Sequence, residues 1–149
     1  MSEGKLPEEG AGRPDADMFG RALGPGIGIN LLVTDVEASL RFQVEVLGAE
    51  GAYWDRDFAI VSAFGSTWML HHDRTYRSHP LKGIAEGAEG RGAGLEIRLY
   101  GCDPDAATAR AEMRDDIVLA GPADKPHGLR EAYLVDAEGY LWVPSVPKG

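Results

Sequence analysis

Residues 27–48 read IGINLLVTDVEASLRFQVEVLG, and the apolar period changes partway through them. Ile27, Ile29, Leu31 and Val33 alternate with Gly28, Asn30 and Leu32, which is the two-residue period of a strand with one apolar face. From Val36 onward, Leu40, Val44 and Leu47 recur at helical spacing. Between the two patterns, Thr34-x-x-Glu37 has the spacing of a capping box, which would close the first helical turn. Gly48 stands where a helix commonly ends in a left-handed residue. The stretch therefore predicts a strand running directly into a helix.

Downstream, Ala52–Trp54, Phe58–Ser62 and Thr67–His71 read as three short strands, with turns at Asp55-Arg56-Asp57 and Gly65-Ser66. Residues 73–94 carry Gly83, Gly87, Gly90, Gly92 and Gly94 and read as a linker or a lid. The pattern then restarts. Leu95, Ile97 and Leu99 alternate with Glu96, Arg98 and Tyr100, and Asp103-Pro104 supplies an N-cap with proline at the first helical position. Ala106–Met113 is rich in helix formers, Ile117–Ala120 is a strand, and Arg130–Val135 with Tyr140–Val143 forms a hairpin around Asp136–Gly139. Setting Gly65 on Gly139 places Trp68 on Trp142, Met69 on Val143 and Val61 on Val135, so the unit is duplicated. The expectation is an α+β chain of two tandem βαβββ modules. Module one covers about 26–73, the linker 74–93 and module two about 94–147, within one domain running from 26 to 149. Residues 1–25, rich in glycine, proline and charge, read as a flexible tail in which only Met18-Phe19 could dock.

The 149 residues suit a single domain with its own core. A formal charge of −9 argues against nucleic acid and against anionic membrane surfaces as partners. No apolar run is long enough to span a membrane, and the acidic start does not resemble a secretion signal. Cys102 is the only cysteine, which excludes an internal disulfide and a cysteine-based zinc site and fits a reducing, cytoplasmic compartment.

Asn30–Phe42 with Val46-Leu47-Gly48, and the closing hairpin Arg130–Leu141, resemble the vicinal oxygen chelate superfamily, which includes glyoxalase I, bleomycin-resistance proteins and extradiol dioxygenases. The resemblance spans roughly residues 26–147. It implies mixed sheets curled around a cleft, with helices on the outer face. Ile27, Ile29, Leu31, Leu95, Ile97 and Leu99 would then pack under the helices, and Asn30, Glu96 and Arg98 would face the cleft. It also implies a homodimer that completes the cleft.

Metal-dependent members of that superfamily hold their ion with side chains of the cleft-facing strands. The matching positions here are Gly28, seven residues before Asp35; Met69, four after Gly65; Glu96, seven before Asp103; and Val143, four after Gly139. Only Glu96 is a usable ligand, and zinc or iron sites normally take three protein ligands. No metal and no cofactor is therefore expected. Leu32, Met69, Leu141 and Val143 would form an apolar lining, with Asn30, His71, Glu96 and Arg98 as polar anchors, the usual makeup of a small-molecule pocket. His71 and His72 point to opposite strand faces, and parity puts His71 in the cleft. Glu96 and Arg98 would form either an ion pair or a ligand anchor. Trp68 and Trp142 read as core, Tyr53 and Trp54 as core or cleft mouth, and His79 and His127 as solvated. The reading is metal-free binding, by sequestration or carriage, of a neutral or cationic compound. The alternatives are a metal-dependent lyase or dioxygenase with shifted ligands such as His71 and Glu96, a metal-free isomerase with His71 or Glu96 as base, and an accessory domain with a vestigial cleft.

Overall fold

The computed structural model describes residues 4–76 and 90–149. Its elements are α1 (Ala16–Ala22), β1 (Asn30–Val33), α2 (Val36–Glu45), β2 (Glu50–Trp54), β3 (Phe58–Ala63), β4 (Ser66–His72), β5 (Glu96–Tyr100), α3 (Pro104–Met113), β6 (Ile117–Asp124), β7 (Leu129–Val135) and β8 (Leu141–Pro147), with a 3-10 turn at Asp73–Tyr76. Two four-stranded mixed sheets result, ordered β1-β4-β3-β2 and β5-β8-β7-β6, and neither closes into a barrel. In each, the first strand of the module runs parallel to the last, and the other neighbours are antiparallel. The duplicated βαβββ plan is thus realised in α+β form. The linker-or-lid stretch lies largely outside the described residues, as does His79.

The period change at residue 34 does what the pattern predicts. Val36, Leu40 and Val44 are buried on α2, Leu47 is buried just past its end, and Gly48 follows at φ +78°. The capping chemistry differs from the expected box. Asp35 is the N-cap and accepts from the Ala38 amide, while Glu37 turns outward to Arg41. The amide and hydroxyl of Thr34 both donate to Glu138, 104 residues away, at 2.6 and 2.8 Å. A carboxylate from the second module thus supplements the start of a first-module helix, where the helix dipole favours negative charge.

One core joins both modules. Leu31, Val33, Val61, Trp68 and Leu70 from the first sheet meet Leu99, Leu134 and Trp142 from the second, together with α2 and with Ala107 and Ala111 of α3. The Trp68 and Trp142 rings touch at 5.6 Å between centroids, and each indole N–H is satisfied, by Gln43 and Asp136 respectively. Both tryptophans are core, as the sequence predicts. Ile27, Ile29 and Leu95 depart from expectation. They precede β1 and β5 and stay exposed, Ile27 at 95%, because the ladders that would carry them under the helices begin only at Asn30 and Glu96.

A second joint seals the modules near the end of β4. Arg91, only 5% exposed, donates to both oxygens of Asp73 at 2.6 Å and to the Leu32 carbonyl at 3.1 Å, and Glu138 lies 3.7 Å away. The Tyr140 hydroxyl donates to the same Leu32 carbonyl at 2.8 Å. Gly92 lies so close to this hairpin that a Cβ there would stand 2.7 Å from Tyr140 Cα.

Residues 4–25 contain a short helix and make several contacts to the first module. The Gly10 amide donates to the Trp54 carbonyl at 2.8 Å, the Trp54 indole donates to the Pro7 carbonyl at 2.7 Å, and Leu6 packs against the core. α1 is capped by Asp15 and sets Phe19 edge-on to Phe58.

Candidate functional site

Strand parity sorts the candidate residues into two groups. On the first sheet, Asn30 pairs with Met69, which pairs with Ile60; Leu32 pairs with His71, which pairs with Phe58. These residues share the face turned away from the common core. On the second sheet, Glu96 pairs with Leu141, Arg98 with Val143 and Tyr100 with Ser145, and Ser145 pairs in turn with Glu131. This face also points away from the core. The faces that meet inside one chain are the helix-packed ones, so Asn30, Leu32, Met69 and His71 share one outward sheet face, the first cup, and Glu96, Arg98, Leu141 and Val143 share another, the second cup.

The first surface is aromatic and apolar. The Phe58 ring lies 5.0 Å from the His71 imidazole and 6.3 Å from Tyr53, while Tyr53 donates to Asp55 at 2.6 Å. Burial lowers the pKa of half-buried His71, which keeps the imidazole neutral near pH 7. Tyr53 and Trp54 are both buried, Tyr53 on this face and Trp54 in the core.

The second surface is built around Glu131, 1% exposed. Its Oε2 accepts from Arg98 Nη2, its Oε1 accepts from the Tyr133 hydroxyl at 3.0 Å, and His127 Nε2 stands 3.4 Å away. Burial pushes this carboxyl up, but the hydrogen bonds from Arg98 and Tyr133 and the charge of Arg98 outweigh it, holding Glu131 below the usual range and therefore ionised. Arg98 also reaches the Tyr100 hydroxyl at 3.2 Å, whereas Glu96 stands off at 3.9 Å. The pairing of Glu96 with Arg98 expected from the sequence is thus the weaker contact. Val143 and Ser145 are fully buried as the floor, and Leu141 is partly exposed.

Glu131, Tyr133, Tyr100 and His127 were not among the expected site residues. Alternation along β7 could have found the first two, since Ala132 and Leu134 are core and their neighbours must face the other way.

The metal positions can be tested on these strands. Gly28 is exposed and offers no side-chain donor, Met69 and Val143 offer no hard ligand, and Glu96 is exposed. Among the described residues, no three His, Cys, Asp or Glu side chains converge. The described residues at these positions do not fit the metal that the resemblance would imply. A depression of about 450 Å³ at the β3–β4 turn, lined by Gly48, Glu50 and residues 62–67, holds Glu50 as its one ionisable group and offers no chemistry.

Solved structures share this architecture. A glyoxalase/bleomycin resistance protein/dioxygenase from Nocardioides is 21% identical, with a TM-score of 0.63 over 88% of this chain and 91% of that one. A glyoxalase-related enzyme from Fulvimarina pelagi is 17% identical, with a TM-score of 0.64 over 83% and 88%. TioX from Micromonospora sp. ML1 is 19% identical, with a TM-score of 0.61 over 84% and 98%. The fold is glyoxalase/bleomycin-resistance-like. No family model matches the sequence, and no curated protein matches it. The glyoxalase-like fold positions two cups here, one aromatic and one ionic. Among the described residues no helix is long and apolar enough to cross a membrane.

Proposed function

We propose that the protein binds a small neutral or cationic organic molecule without a metal ion, sequestering or carrying it. The observation that carries this reading is the Arg98–Glu131 pair on the floor of the second cup. Its members are fixed by Tyr100, Tyr133 and His127 and bordered by Leu141 and Val143, so polar anchors stand preorganised on an apolar ground. With Glu96 beside the pair, two carboxylates face one guanidinium, and the chain as a whole carries −9, so the local and global fields both favour a cation or a hydrogen-bond donor.

The two cups of one chain look away from their shared core, so a homodimer that sets the first cup of one copy against the second cup of the other would complete a cleft. Light scattering on the purified chain should give twice the monomer mass. The single cysteine is buried, with its thiol pushed up to about 11 by burial, which suits a cytoplasmic protein without redox chemistry.

The test joins metal analysis with a thermal-shift screen of planar amines and neutral heterocycles. The expected result is no stoichiometric Zn, Ni, Mn or Fe, and a cationic binder whose affinity falls about threefold or more in Glu96→Gln, the loss of one exposed carboxylate from the field that favours it. Stoichiometric metal that disappears in His71→Ala would overturn the reading.

One observation favours a second reading, a metal-free isomerase. His71 is half-buried and held neutral, the state a general base requires, whereas Glu131 is held too acidic to serve. His71→Asn would then abolish turnover of a bound compound without abolishing binding.

A further inference from the structure

Phe19 is the outermost ring of an aromatic row on the first cup. It meets Phe58 edge-on at 6.5 Å and 78°, and Phe58 in turn meets His71 at 5.0 Å and Tyr53 at 6.3 Å. On α1 it is the one partly buried side chain; the helix has no fully buried residue, and Met18 beside it is 71% exposed. The chain is anchored upstream, where Gly10 and Pro7 bond to Trp54, and again downstream where β1 begins at Asn30. Gly12 lies on one side of α1, and Gly24, Gly26 and Gly28 lie on the other. Gly12 and Gly26 have positive φ, and at none of the four would a Cβ meet any atom within 4 Å. A short helix is thus tethered at both ends, bracketed by glycines and held against the cup chiefly through one aromatic ring.

We propose that α1 is a built-in strap over the first cup, and that Phe19 holds the place of a planar aromatic group of the ligand, which displaces it on binding. The idea rests on the small-molecule reading above and adds the ligand's chemical class and the surface that takes it. An aromatic edge-to-face pair is a weak, geometry-specific contact, well suited to exchange for a better-stacked planar ring. A strap that must open first reduces apparent affinity by the fraction of molecules already open.

The test uses the full chain and proflavine, a planar aromatic cation, at near-physiological salt, read by fluorescence anisotropy. Phe19→Ala should bind about three- to tenfold more tightly than wild type, the release of one weak aromatic latch. Phe19→Trp should stay near wild type, and Phe58→Leu should lose most binding. Backbone heteronuclear NOEs of residues 16–22 should be high in wild type, and should fall both in Phe19→Ala and on saturation of wild type with the dye. Equal or weaker binding by Phe19→Ala, with binding still lost in Phe58→Leu, would overturn the strap and leave the cup standing as a site. NOEs already low in ligand-free wild type would overturn the strap whatever the dye does. Dye binding indifferent to Phe58→Leu, or absent from every variant, would overturn the aromatic cup and the strap together, while the second-cup screen with Glu96→Gln would still judge the small-molecule reading.

Discussion

The two sheets share one topology and nearly one register, yet their outward faces carry opposite chemistry. Asn30 and Arg98 occupy the same place, opposite Met69 and Val143. Phe58 and Glu131 likewise correspond, opposite His71 and Ser145. Where the first cup sets Phe58 against a neutral imidazole, the ring planes tilted by 56°, the second pairs Glu131 with a guanidinium. The helix-side faces, by contrast, stayed alike, with Trp68 and Trp142 meeting in one core. Packing constrained the shared face, and the outward face was left to diverge. Fold likeness therefore locates both cups without saying what either one takes.

The largest expected effect comes from forcing one cup toward the other. Arg98→Asn copies the first-cup residue into the second and strands a buried carboxylate with only neutral donors and His127. Urea denaturation should show a loss of about 3–5 kcal/mol, the range for breaking one side of a buried ion pair. Adding Glu131→Phe completes the imitation of the Asn30 and Phe58 positions. The double variant should return to within about 1.5 kcal/mol of the parent, because replacing a whole buried pair with apolar groups is often nearly neutral. A double variant as unstable as the single one would mean that the cups are not equivalent positions of a duplicated unit.

The hairpin glycines come next. Gly65 and Gly139 both have positive φ, +81° and +91°. A Cβ at Gly65 meets nothing within 4 Å, whereas at Gly139 it would lie 2.7 Å from Gly90 Cα and 3.1 Å from the Arg91 amide nitrogen. Gly65→Ala should cost roughly 1–2 kcal/mol for the left-handed backbone alone. Gly139→Ala should cost about 1–3 kcal/mol more, because backbone on the module joint must shift. Thermal or urea unfolding of the pair measures the difference, and equal losses would show that the joint carries no such close packing in solution.

Much of this was legible in the sequence, for identifiable reasons. The change from alternation to helical spacing at residue 34 and the match of Trp68 to Trp142 depend on local period, which burial enforces directly. Long-range pairing left no such mark. Nothing near Thr34 points to Glu138, and nothing near Glu131 points to Arg98, 33 residues earlier. The alternation through Ile27 and Ile29 was genuine, but it continues past the edge of the ladder, and pattern alone does not say where pairing begins. In the same way, strand parity placed the eight candidate residues on outward faces without revealing that one core holds the two faces apart.

The smallest expected effect separates the cups by pH. His71 has its pKa lowered by burial from the ordinary 6.5, so as pH falls through 6.5 the unfolded chain takes up a proton that the folded chain refuses. Stability is lost from that point down to the folded value, then levels off. Glu131 is also lowered, from 4.5, because its hydrogen bonds and the Arg98 charge outweigh burial. Its contribution is complete above 4.5 and is lost only as pH falls through the lower folded value. Asp136, raised by burial, works in the opposite sense below neutrality and is common to all the variants compared. Difference curves isolate the two cups. His71→Asn should flatten the stability profile just below pH 6.5 and leave the acid limb unchanged, while Glu131→Gln should lower stability at neutral pH and flatten the limb below 4.5. An unchanged slope near pH 6 in His71→Asn would mean that the imidazole titrates as it does in the unfolded chain, and the first cup would then be open to water rather than half-closed around its aromatic row.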